Sequence, residues 1–244
     1  MPALHGSIHR GASADQAASA AQLVTALQGQ YPEAGRAYWA LRAWGLLVWQ
    51  PAYASVIAAE LAEGVLPLAG LQLDVDTAEA DVSGFAVAAG HFIPCTAGPR
   101  RQQAARQLQP VTNALLRAVQ AHLPLHPKAA RRLLADCVLA ALLRIQRWTR
   151  HTGYPGLRFS NAALIATGAD WLGLLGAGGD SGYLVFDAGG GTPQLALDRR
   201  VCCLDDRRHG GSLCDTCPRL ARAERLRRLQ AASLADAPTH QSAA

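Results

Sequence analysis

The sequence predicts an α+β protein that is mostly helical, with a small antiparallel sheet and a cysteine loop near the C-terminal end. Three observations lead there. Apolar residues recur at helical spacing through most of residues 14–63 and again through most of residues 101–175. Two shorter segments, residues 71–94 and 182–203, carry strand-like apolar runs on either side of polar or glycine turns. Finally, Cys202, Cys203, Cys214 and Cys217, four of the six cysteines, fall within one short span.

In chain order, Ser13 and Gln16 form an S-x-x-Q capping box, and Ala17, Ala20, Ala21, Val24 and Leu27 follow on one helical face. A first helix over about residues 14–28 is expected. Past Tyr31 and Pro32, a second helix carries Trp39, Leu41, Trp44 and Leu47 as far as Pro51, and a third runs over about residues 52–63. The two are expected to meet at the proline, which lacks an N–H. LQLDVDTAEADVSGFAVAAGHFIP reads as a strand pair around a polar turn. Gly98 and Pro99 lead into a helix over about residues 101–122. Pro127 to Arg150 is the clearest helix: Leu133, Leu134, Cys137, Leu139, Leu142, Leu143 and Ile145 fill a broad stripe, and Gly153 stands just past its end. Ser160 can cap a helix from Asn161 to Leu175. YLVFD and PQLALD, joined by Gly189, Gly190 and Gly191, read as a hairpin whose second strand delivers the chain to the cysteines. Pro218 suits the first position of a last helix reaching about residue 231. The expected division is a mostly helical part over 1–181, a hairpin with the cysteine loop over 182–231, and a flexible tail over 232–244.

With 244 residues, half of them hydrophobic, the chain can bury a core without covalent staples. The N-terminal residues lack the apolar run of a secretory signal, so a reducing compartment is expected. There a cysteine cluster points to a metal site or a redox thiol pair rather than to structural disulfides. AWGLLVWQPAYASVIAA, residues 43–59, is uncharged, but it sits at the short limit for a membrane span and holds Gln50 and Pro51 in its middle. Burial within the protein is the expectation. Lys128 is the only lysine, and between Arg199 and Arg228 nine arginines face four acids, so the basic excess of the chain surrounds the cysteines. GAGGDSG and AGGG lack the following Lys-Ser/Thr of a phosphate loop, and no Ser-His-Asp or HExxH arrangement occurs.

The spacing C-C-x10-C-x2-C admits a structural zinc, a dithiol that exchanges with disulfides, or an iron–sulfur cluster. Zinc usually takes pairs spaced C-x2-4-C, because each pair spans two vertices of one tetrahedron, and adjacent cysteines suit that poorly. A thioredoxin-like reading explains CDTC but leaves Cys202 and Cys203 without a task. A [2Fe-2S] rhomb is elongated, with two ligand positions on each iron, and a loop supplying two separated pairs matches it better. Gly210 and Gly211 let the intervening segment fold back. Two local features suit an anionic cluster: a Pro218-initiated helix would aim free N–H groups at Cys217, and Arg199, Arg200, Arg207 and Arg208 would ease electron uptake. The competing reading of each arginine is a solvated face.

VCCLDDRRHGGSLCDTCP resembles the C-terminal signature of the FhuF-type ferric siderophore reductases, an adjacent cysteine pair, ten residues and a CxxC followed by proline. The likeness covers this segment strongly and the rest only in its helical character. It implies a C-terminal [2Fe-2S] cysteine loop with Cys202, Cys203, Cys214 and Cys217 as ligands, no catalytic residue beyond the cluster, and one-electron reduction of siderophore-bound iron(III) in the cytoplasm with release of iron(II). No flavin or nicotinamide fingerprint is present, so a separate ferredoxin, flavodoxin or reductase is implied as electron donor. The resemblance also implies that residues 1–181 help form a substrate cleft, that no nucleic acid is bound, and that there is room for loose, peripheral association with the inner membrane. Trp39, Trp44, Trp49 and His91 are the residues to inspect in such a cleft, with core packing the stronger expectation for the tryptophans. Cys95 and Cys137 are expected to be buried thiols, and His209 is surplus to a four-cysteine set. The rival reading is a zinc-stabilised binding module whose basic helix RLARAERLRRLQ, with Arg219, Arg222, Arg225, Arg227 and Arg228, contacts an acidic partner or nucleic acid.

Overall fold

A computed structural model describes residues 6–9, 15–62, 64–88, 93–96, 98–152, 159–188, 191 and 193–235. Its elements are β1 (Gly6–His9), α1 (Gln16–Gln30), α2 (Gly35–Leu61), β2 (Gly64–Val65), β3 (Gln72–Asp76), β4 (Asp81–Ala88), β5 (Ile93–Pro94), α3 (Arg100–Gln120), α4 (Pro127–Thr152), α5 (Asn161–Leu174), β6 (Tyr183–Asp187), β7 (Pro193–Leu197) and α6 (Arg222–Ala235). The expected class holds: helices dominate and the sheets are small. Among the described residues there are three of them, with strand orders β1-β4-β3, β2-β5 and β6-β7.

Local chemistry explains most of the elements. Asp15 accepts from the Ala17 N–H and caps α1 in place of Ser13, which lies outside the described residues. Ser160 caps α5 through the Ala163 N–H, as its position suggested. The β3–β4 hairpin turns where the Asp76 carboxylate accepts from the Ala78 and Glu79 N–H groups. β1 adds to β4 in parallel, a strand that GSIH is too short to announce by its pattern. His91, Gly153, Gly189 and Gly190 lie outside the described residues.

One expectation fails. The two helices expected on either side of Pro51 are a single helix, α2, with the proline inside it and buried. An interior proline costs about 3 kcal/mol. Leu47 and Val48 before it and Ala52 and Val56 after it are fully buried, and a buried Leu or Val returns roughly 1.5–3 kcal/mol, so packing outweighs the break. That packing is against α3 and α4, which flank α2 and make it the central rod of the fold. Trp44 donates its indole N–H to the Ala130 carbonyl at 2.8 Å, and Gln50 donates to the Val82 carbonyl at 2.7 Å, so α2 is pinned to both α4 and the first sheet. No helix among the described residues is long and apolar enough to cross a membrane.

The second correction concerns the last helix, which begins at Arg222 rather than at Pro218. Two successive tight turns intervene: Cys217 N–H donates to the Cys214 carbonyl, and Leu220 N–H donates to the Cys217 carbonyl. These turns take up residues 214–220 and postpone the helix.

Candidate metal centre

The segment entering the cysteine loop is held by α4. Asp136, in the middle of that helix, accepts from Arg199 Nε at 2.9 Å and from Ser181 Oγ at 2.5 Å, with both carboxylate oxygens engaged. Arg132 donates to the Arg200 carbonyl at 3.0 Å, and Tyr183 donates its hydroxyl proton to the Leu139 carbonyl at 3.1 Å. The approach to Cys202 is therefore fixed on both sides by a helix far away in sequence.

The loop itself closes through unusual backbone. Leu204 adopts a left-handed conformation, φ 60°, and its N–H donates to Cys202 Sγ at 3.3 Å. Gly211 follows the left-handed Gly210 so closely on Asp205 that an added Cβ would lie 1.8 Å from the Asp205 carbonyl oxygen, so only glycine fits there. Arg208 forks onto Asp205 at 2.8 and 3.1 Å, and its guanidinium lies 5.7 Å from the Tyr31 ring centre. The His209 N–H donates to Glu33 at 2.6 Å, so the loop rests on the junction between α1 and α2.

All four motif cysteines line one small cavity. Cys202 and Cys217 place their sulfurs 3.6 Å apart. A tetrahedral metal with sulfur bonds of about 2.3 Å spaces neighbouring sulfurs by about 3.8 Å, so this pair already has the spacing of two ligands on one ion. The pair joins one cysteine of each sequence couplet. As they stand, no three or more His, Cys, Asp or Glu side chains among the described residues converge enough to hold a metal ion. The thiols are gathered without being closed on a single point. The space between them is about 10 Å³, room for one atom, and Cys214 stands at its exposed edge. In number and chemistry the donors suit a thiolate-bound metal; His209 is not among the side chains that line the cavity.

The charges differ from the expected ones. Burial pushes the Cys217 thiol up to about 11, assisted by the neighbouring Cys202 and Cys214, and the Arg219 backbone N–H works in the opposite direction. A turn N–H thus stands where the start of a helix was expected. Of the four arginines proposed to ease electron uptake, Arg199 donates Nη1–H toward Cys214 Sγ at 3.6 Å, whereas Arg208 is committed to Asp205. Burial alone would favour losing the Arg199 proton, but Asp136 and the Cys203 and Cys214 sulfurs hold it charged. Arg219, not among those four, is held by Asp206 and Cys202.

Beside the cysteines lies a cleft of about 580 Å³ between α2 and α4, floored by the end of β7 and the cysteine loop. Arg199 and Cys203 line both this cleft and the cysteine cavity, so they form the wall between the two. Trp49 and Tyr53 face into it from α2. Trp44 is core, and Trp39 is half-buried with its indole donating to the Tyr31 carbonyl. Cys137 is half-buried rather than buried and lines the cleft, its thiol pushed up to about 12 by desolvation. Cys95 is half-buried as well.

No protein-family model matches the chain, and no solved structure matches it. The geometry therefore carries the functional argument. Sequence reasoning missed Asp136, whose signal was a carboxylate inside the apolar stripe LLADCVLAALL, and it missed Arg42, Tyr53 and Arg144, which carry no local signal.

Proposed function

We propose that this protein holds a [2Fe-2S] cluster on Cys202, Cys203, Cys214 and Cys217 and reduces iron(III) bound by a siderophore, as the FhuF-type reductases that its motif resembles do. The observation that supports this best is the shared wall: Cys203 and Arg199 separate the cysteine cavity from a cleft whose volume of about 580 Å³ suits a small-molecule ligand. A cluster bound there supplies a one-electron couple. A separate ferredoxin, flavodoxin or reductase would supply the electron, and iron(III) would accept it with no bond to the protein formed or broken. Iron(II) results, and hard oxygen donors hold it far less tightly. The reaction is proposed for the cytoplasm, with peripheral contact to the inner membrane.

The chain's own residues prepare the site. Arg199, neutralised on one side by Asp136, presents positive charge to Cys214, which favours added negative charge at the sulfurs. The Leu204 N–H on Cys202 acts in the same direction. The rival zinc module draws less support, because much of its basic helix is committed internally: Arg225 pairs with Asp198, Arg227 and Arg228 pair with Glu224, and Arg219, just before the helix, pairs with Asp206.

Anaerobic purification and reconstitution with iron and sulfide, followed by visible absorption and EPR before and after dithionite, test the proposal. A bleachable visible band, about two iron per chain and the EPR signal of one unpaired electron after reduction, all lost in Cys214→Ser, are expected. A colourless protein holding about one zinc after the same treatment overturns it and promotes the binding module.

A further inference from the structure

The cleft beside the cysteines has a composition that selects its ligand. Gly45 lies inside α2 on the cleft wall, and a Cβ built there meets no atom within 4 Å. Glycine is the weakest ordinary helix former, and here no close approach demands it, unlike Gly168, where a Cβ would lie 2.7 Å from Leu139. What its missing side chain provides is room in the cleft. Trp49 and Tyr53, one helical turn apart, meet edge to face with ring centres 5.6 Å apart and supply an aromatic wall.

The charge of the lining leans positive. Arg42 comes from α2, Arg144 from α4 and Arg199 from the end of β7. An adjoining pocket that shares Ala140, Arg144, Leu197 and Thr216 with the cleft adds Arg147. Against these stand Asp81 and Asp136, and Asp136 is already engaged by Arg199 and Ser181.

We infer that the cleft binds ferric chelates of net negative charge with aromatic donor arms, such as tris-catecholates, and disfavours cationic ones. Arg42 and Arg144, with Arg147 alongside, oppose the charge of the chelate, the two aromatic rings take its planar arms, and the space left by Gly45 admits its bulk. Seated there, the chelate touches the wall formed by Cys203. The inference rests on the reading of the cleft as the substrate's seat, and its test does not depend on electron transfer.

Gallium(III) matches iron(III) in charge and coordination but is not reduced under these conditions. Calorimetric titration of the protein as purified, whatever its cysteines carry, compares gallium(III) tris(2,3-dihydroxybenzoate), which is anionic, with gallium(III) desferrioxamine, which is cationic. The anionic chelate is expected to bind about tenfold tighter or more, with an affinity that falls as salt rises. Gly45→Leu, which fills the cleft, and Arg144→Gln, which removes charge, should each weaken it by about tenfold, with helical content unchanged by circular dichroism. Equal or tighter binding of the cationic chelate overturns the inference. So does unchanged anionic binding in folded Gly45→Leu, and should that variant fail to fold, unchanged binding in Arg144→Gln does the same. A colourless zinc protein that binds the gallium catecholate through these residues would end the reductase reading and keep this one. A clustered protein that prefers the cationic chelate would do the reverse.

Discussion

Arg199→Met isolates the buried ion pair that ties the cysteine loop to α4. The Asp136 side chain is 5% exposed and that of Arg199 17%, with 2.9 Å between Nε and Oδ2. Removing one partner of such a pair costs about 3–5 kcal/mol, because the other charge stays buried without its counterpart. Methionine keeps much of the volume and Ser181 still donates to Asp136, so the lower end, about 3 kcal/mol, is expected. For a chain of this size that lowers Tm by about 6–12 °C. The pH dependence sharpens the test. Burial raises the Asp136 carboxyl above its ordinary range and Arg199 opposes this, so without Arg199 it rises further. A carboxyl whose pKa is higher in the folded than in the unfolded chain loses stability as pH climbs from about 4 through the raised value. The deficit measured by urea and thermal unfolding should therefore be larger at pH 8 than at pH 5, and Asp136→Asn in the same chain should recover part of it. A deficit under about 1 kcal/mol at pH 8, or equal deficits at both pH values, would refute the buried pair.

Gly211→Ala drives a methyl group into the Asp205 carbonyl, so the loop cannot close. A loss on the order of 2–3 kcal/mol is expected, together with rapid labelling of the otherwise buried Cys217 by a thiol reagent. Gly45→Ala acts in the opposite sense: its Cβ meets nothing, the helix gains about 1 kcal/mol, and Tm should rise by about 2–4 °C in a calorimetric scan. Arg227 and Arg228 hold the half-buried Glu224 carboxyl down at about 2, so its contribution to α6 is present above about pH 4 and is lost as pH falls toward 2. Amide exchange in α6 should accelerate across that window while exchange in α4 does not.

Much of this protein was legible in the chain because its signals are local. The stripe from Leu133 to Ile145, the Ser160 cap and the YLVFD/PQLALD hairpin are set by neighbours within a few residues, and each appears as read. The four cysteines were likewise visible by spacing alone, since a short loop can gather only what it contains. Three features depended on the tertiary structure. α2 runs through Pro51 because packing against α3 and α4 outweighs a local break. α6 starts late because turns around Cys217 take up the intervening chain. Cys202 pairs most closely with Cys217, not with its sequence neighbour, because the loop is folded back by Gly211 and held on Glu33, Tyr31 and Asp136, the last through Arg199. The arginine and aromatic cleft belongs to the same class. Arg42, Arg144 and Arg199 come from segments that meet only after folding, and no periodicity in one segment records the charge that another will place beside it.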